Sequence, residues 1–70
     1  MIKVTILVDG KEVDSATAAS QWALPDVVAK LGRRWDADPN VIWEREEKIK
    51  DPSGQLIELR VHYHSKLAKV

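Results

Sequence analysis

Asp51-Pro52-Ser53-Gly54-Gln55 separates two runs of strand-forming residues, with Val41, Trp43 and Ile49 before it and Ile57, Leu59, Val61 and Tyr63 after it. Proline is suited to the second position of a type I turn, and Gly54 to the left-handed residue that closes a glycine bulge. The stretch therefore predicts a hairpin in which Asp51 pairs with Gln55 and Ile49 with Ile57. Since side chains alternate along a strand, this register places Val41, Trp43 and Ile49 on the same face as Ile57, Leu59, Val61 and Tyr63. On the other face it sets Lys48 against Glu58, Glu46 against Arg60 and Glu44 against His62. Opposite charges facing each other across a ladder contribute about 0.2 to 1 kcal/mol per pair.

A second hairpin is expected at the N-terminus. Ile2, Val4, Ile6 and Val8 alternate with Lys3, Thr5 and Leu7, the period of a strand with one buried face. Asp9-Gly10 then supplies the two positive-φ positions of a tight turn. Pairing Val8 with Lys11 puts Leu7 opposite Glu12 and Ile6 opposite Val13, which assigns Val13 to the buried face and Lys11 to Ala16 to the return strand.

Between the hairpins, Pro25 and Asp26 suit the first turn of a helix. Leu24, Val28, Leu31 and Trp35 recur at helical spacing beside Val27, while Asp26, Lys30, Arg33 and Arg34 fall on the opposite side. The helix is expected over about residues 25 to 35, with Gly32 weakening its last turn. Ser20 is a candidate cap for a short turn over Gln21 to Ala23. Asp36-Ala37-Asp38-Pro39-Asn40 returns the chain to the sheet.

The order is thus strand, strand, helix, strand, strand: an α+β, ββαββ fold in which one helix covers one face of a four-stranded mixed sheet. The most apolar strands, the first and the last, are expected to lie parallel at its centre. The charged run Glu44, Glu46, Glu47, Lys48 and Lys50 then decorates an edge, where charge resists unwanted pairing.

With its hairpin at Asp9-Gly10, its central helix, and Trp43 early in the C-terminal hairpin, the chain resembles the β-grasp superfamily. Within it, the architecture is similar to the immunoglobulin-binding domains of protein G and protein L. The resemblance covers nearly the whole chain, and being one of architecture it carries over no binding residue. Ubiquitin-like and sulfur-carrier branches act through a Gly-Gly tail, whereas this chain ends Ser65-Lys66-Leu67-Ala68-Lys69-Val70, which sets conjugation and sulfur transfer aside.

Composition narrows the function further. Seventy residues, 44% hydrophobic and 31% charged, suit one domain over positions 1–70 with one small core. Eleven basic side chains balance eleven acidic ones, which demotes binding to a phosphate backbone. There is no cysteine and no apolar run of membrane-spanning length, so a cytoplasmic protein without a membrane partner is expected.

No chemistry-bearing constellation emerges, and no catalytic, cofactor-binding or metal residues are assigned. Gly10, Gly32 and Gly54 are scattered, each with a turn or helix-end explanation, rather than gathered into a phosphate loop. His62 and His64 share a strand face with Glu44 opposite, a solvated His–Glu pair lacking a third firm ligand. Glu44, Glu46, Glu47 and Glu58 lie on an open sheet among basic partners, away from the concave site that acid–base catalysis requires.

The candidate partner-binding residues are Trp22, Lys30, Arg33 and Arg34. Trp22 lies in the connection after the first hairpin, where two readings stand: an interface anchor, or packing over the helix start. Lys30, Arg33 and Arg34 form a basic patch on the outer helix face, bounded by Asp26, Asp36 and Asp38. The strand Lys11 to Thr17, with small side chains at Ser15, Ala16 and Thr17, is an edge suited to strand addition.

The leading expectation is a non-enzymatic module that binds another protein through its helix face or an edge strand, as a monomer or an edge-paired homodimer. Phages and mobile elements encode small inhibitors and adaptors of this kind. The alternative is a DNA-binding winged helix, because Leu24 to Gly32 resembles the first helix of excisionase-like helix-turn-helix proteins. In that reading Asn40 to Lys50 must be the recognition helix, although Glu44, Glu46 and Glu47 would repel phosphates.

Overall fold

A computed structural model describes residues 1–66. The chain runs through β1 (Ile2–Val8), β2 (Lys11–Ala18), α1 (Leu24–Asp36), β3 (Val41–Lys50) and β4 (Leu56–Ser65). The strands form one sheet in the order β2-β1-β4-β3, with β1 and β4 parallel at its centre. This is the expected α+β fold, compatible with a β-grasp-like architecture. The segment Leu67 to Val70, part of the C-terminal end weighed against a Gly-Gly tail, lies outside the described residues.

Both turns form as their residues dictate. Asp9 and Gly10 adopt φ of 53° and 82°, the left-handed pair that matches strand twist. Asp9 also ties the turn to β4: its N–H donates to the Tyr63 carbonyl at 3.0 Å and its Oδ1 accepts from the Ser65 N–H at 2.9 Å. At the second turn, Gly54 has φ of 88°, and its N–H donates to the Asp51 carbonyl at 2.9 Å. The Asp51 Oδ1 accepts from the N–H groups of Ser53 and Gln55 at 2.9 and 3.0 Å. With the Ser53 hydroxyl as the largest contributor, these hydrogen bonds hold the Asp51 carboxyl below its ordinary range.

Beyond the turns, three bulges correct the expected registers. Ile6 faces Asp14, and Val13 becomes the extra residue of a bulge, 45% exposed instead of buried. The shift turns Asp14 toward the helix, where it accepts a hydrogen bond from Trp35 Nε1 at 3.2 Å. In the second hairpin, Ile57 is the extra residue on β4 and Glu44 the extra residue on β3. Between them Ile49 pairs with Glu58, Glu47 with Arg60 and Arg45 with His62, so the expected Ile49–Ile57 pair and all three expected charge pairs are replaced. The two bulges cancel, and Trp43 still faces Tyr63. Central β4 takes its register from β1, matching Leu59 and Val61 to Val4 and Ile6. The ladder between β4 and edge strand β3 absorbs the mismatch, at Ile57 near the start of β4 and at Glu44 of β3.

The core consists of Ile2, Val4, Ile6 and Ala18 with Leu59, Val61 and Tyr63, all from the sheet. Leu31 and Trp35 of α1 pack onto Ile6, Val61 and Tyr63, although no helical residue is fully buried. Trp43, expected in the core, is 52% exposed on the outermost strand. The helix does not stop at Gly32: a glycine inside a helix costs about 1 kcal/mol relative to alanine, and two tertiary hydrogen bonds oppose that cost. They run from Trp35 to Asp14 and from the Tyr63 hydroxyl to Asp36 Oδ1, at 2.7 Å. Ser20 contributes its carbonyl to the Ala23 N–H at 3.1 Å, and the helix N-terminus has no side-chain cap.

Candidate functional site

The two sheet edges differ in chemistry. β3 presents Glu44, Arg45, Glu46, Glu47, Lys48 and Lys50 and is interrupted by its bulge, two devices that discourage strand addition. β2 extends two residues past its expected end, and beyond its own bulge it reads Asp14-Ser15-Ala16-Thr17-Ala18. Its last four side chains are small and uncharged, and among the described residues no strand lies beside its outer backbone groups.

α1 overhangs this edge. Arg34 lies 3.7 Å from the Asp14 carboxylate and 5.5 Å above the Trp35 ring, which places that flank of the helix beside β2. Lys30 is one turn earlier and Val27 is seven residues before Arg34, so the three share the flank. Arg33, the residue before Arg34, is exposed as well. Lys30, Arg33 and Arg34 therefore lie on one exposed surface, but Arg34 is already partnered while Lys30 and Arg33 make no ion pair among the described residues.

Trp22 is 84% exposed in the turn that follows β2, which settles its position in favour of exposure over packing at the helix start. Beside it opens a cleft of about 480 Å³ with Met1, Ile2, Leu56 and Ile57 among its lining residues.

The opposite sheet face is occupied by its own charges. Thr5, expected to be solvent-facing, is 2% exposed, and its hydroxyl donates to Glu58 Oε2 at 2.8 Å. Arg60 lies 3.2 Å from the same carboxylate. His62 Nε2 is 3.0 Å from Glu47, not Glu44, and Arg45 closes on Glu47 at 3.8 Å. The hydrogen bond from Thr5 is the main cause that holds Glu58 below its ordinary value of 4.5, and that with His62 does the same for Glu47. Both acids are thus kept ionised, the reverse of the raised pKa a general acid needs. Among the described residues no three His, Asp or Glu side chains converge as a metal cluster, and no helix is long and apolar enough to cross a membrane.

These depressed acids make stability depend on pH with a definite sign. A carboxyl whose folded pKa lies below its unfolded value stabilises the fold fully above the unfolded pKa, and that stability is lost as pH falls through the folded value. Urea midpoints are therefore expected to fall as pH drops below 4.5, with a smaller fall in Glu58→Gln. A midpoint unchanged between pH 4.5 and the acid limit would contradict this.

No protein-family model, curated protein or solved structure matches the chain.

Proposed function

We propose that the chain is a non-enzymatic protein-binding module, an inhibitor or adaptor of the cytoplasm, that takes an extended segment of its partner along the outer edge of β2. The observation that carries this reading is the contrast between the two edges. β3 is charged and bulged, whereas Ser15 to Ala18 is uncharged, flanked by Lys30 and Arg34 and followed by exposed Trp22. Main-chain hydrogen bonds supply affinity in such an addition, and the flanking side chains supply selectivity. A winged-helix reading requires a recognition helix at Asn40 to Lys50, and residues Val41–Lys50 are strand β3.

The test is affinity capture of the tagged chain from lysate of its native host, with and without nuclease, beside the double variant Ser15→Lys/Thr17→Lys. Both positions are exposed, so the substitutions are expected to change stability by no more than about 0.5 kcal/mol. One protein recovered regardless of nuclease, and reduced about tenfold or more by the variant, is the expected result. Recovery that vanishes with nuclease would assign a nucleic-acid partner. Equal recovery by the variant would remove the β2 edge, and enrichment of the chain's own copy would make the edge a dimer contact.

A further inference from the structure

The overhang of α1 above the β2 edge is positioned by contacts on both of its flanks. Arg34 Nη1 stands 3.7 Å from the Asp14 carboxylate of β2, and across the helix Asp36 Oδ1 accepts a hydrogen bond from the Tyr63 hydroxyl of β4 at 2.7 Å. A helix advances about 100° per residue, so Lys30 lies about 40° from Arg34, while Asp26 and Arg33 stand about 80° and 100° round from it. The four residues from Lys30 to Arg34 also rise about 6 Å, the length of about two strand residues. Because α1 begins after the Ala18 end of β2 and reaches Asp14 with Arg34, Lys30 stands near the level of Ala16.

We infer that the partner segment added to β2 carries an acidic side chain beside Ala16, where it meets Lys30 and the exposed part of the Arg34 guanidinium. The inference rests on the strand-addition reading above and adds the charge of the residue that selects the partner. Ala16 pairs with Val4, which alternates onto the same helix-covered face as Ile6. A residue facing Ala16 from outside turns its side chain to that face, beneath the Lys30 flank. The acids of β2 are already engaged: Asp14 accepts from Trp35 Nε1 and pairs with Arg34, and Glu12 lies 3.5 Å from Lys3. Lys30 makes no ion pair among the described residues, and the Arg34 side chain, 74% exposed, has N–H donors left for a second carboxylate. These charges also oppose addition of a second copy. Antiparallel pairing of two β2 edges relates the copies by a twofold axis and sets Lys30 and Arg34 of one toward the same cations of the other. A segment bearing Asp or Glu meets them with opposite charge instead.

The probe is a phage-displayed library of random dodecapeptides, selected on the immobilised full chain and, in parallel, on Lys30→Glu, a change at an exposed position. Aligned clones from the wild type are expected to show one position rich in Asp or Glu within a run of β-branched residues, and clones from Lys30→Glu to lose that excess. The leading peptide, synthesised, should bind Lys30→Glu about fivefold or more weakly than wild type, and the same peptide with its acid replaced by Lys should reverse that order. Amide shifts in the ¹⁵N-labelled chain should centre on Ser15 to Ala18. An acid excess absent from the wild-type clones, or unaltered by Lys30→Glu, would overturn the inference, as would affinities indifferent to the charge swap. Lys30-dependent binding of a single-stranded oligonucleotide tighter than that of the peptide would overturn it in favour of phosphate, and a dimer of the free chain joined at β2 in favour of a second copy. If peptides shift Ser15 to Ala18 without preferring an acid, only the charge assignment fails. If the shifts centre on β3, or no clone engages the β2 edge, the underlying reading fails with it.

Discussion

Ile6→Ala is expected to destabilise the chain by about 2 to 5 kcal/mol, the range for removing a large aliphatic side chain from a core. Ile6 is 0% exposed and meets Val61, Tyr63, Leu31 and Trp35, so both layers lose contacts at once. A chain of this length has a total stability of about 4 to 10 kcal/mol, which makes the loss a large share of the whole. Urea denaturation reads it as a lower midpoint at nearly constant slope. Val13→Ala is the informative partner variant: because the bulge turns Val13 outward, it should cost no more than about 0.5 kcal/mol. In an unbulged hairpin Val13 would sit on the core face opposite Ile6, and its truncation would cost clearly more. A large loss from Val13→Ala would therefore contradict the observed register.

The parts of the fold legible from the sequence are those governed by neighbouring residues. Asp9-Gly10 and Asp51 to Gln55 specify their turns through backbone conformation and one capping carboxylate, so both hairpins can be read locally. The order of strands follows from hydrophobicity, since Ile2 to Val8 and Leu59 to Tyr63 are the most apolar and occupy the centre. The bulges at Val13, Glu44 and Ile57 answer distant demands instead. Asp14 faces inward beneath Trp35, twenty-one positions away, and β4 follows a parallel partner more than fifty positions earlier. Alternation marks Thr5 as a surface residue, and only the Glu58 and Arg60 side chains from β4 reveal why it is enclosed.

The candidate site divides along the same line. Contrast between a charged β3 and an uncharged end of β2 is visible in the residues themselves, as is the basic row Lys30, Arg33 and Arg34. Engagement of Arg34 by Asp14 depends on the bulge, so the sequence alone presents three equivalent cations where, among the described residues, two make no ion pair. Exposure of Trp22 depends on how the Ala19 to Ala23 segment departs from β2. The Met1, Trp22 and Ile57 cleft gathers three segments that are far apart in sequence, one of them a bulge residue, and has no local signature.

The second large effect concerns hydrogen exchange along β2. In the free chain, amides on the outer side of an edge strand have no strand partner and exchange through solvent-exposed states close to zero opening cost. A partner strand would supply carbonyl acceptors to them and slow their exchange by about tenfold or more, while the α1 flank bearing Lys30 and Arg34 would lose solvent contact. The most direct measurement of the central proposal is therefore residue-resolved amide hydrogen exchange of the chain, free and bound to its captured partner. Added protection concentrated in Ser15 to Ala18, extending to Trp22 and leaving β3 residues Glu44 to Lys48 unchanged, is the predicted result. Protection centred on β3 or on the Arg60 and His62 face, with β2 exchanging as in the free chain, would contradict it.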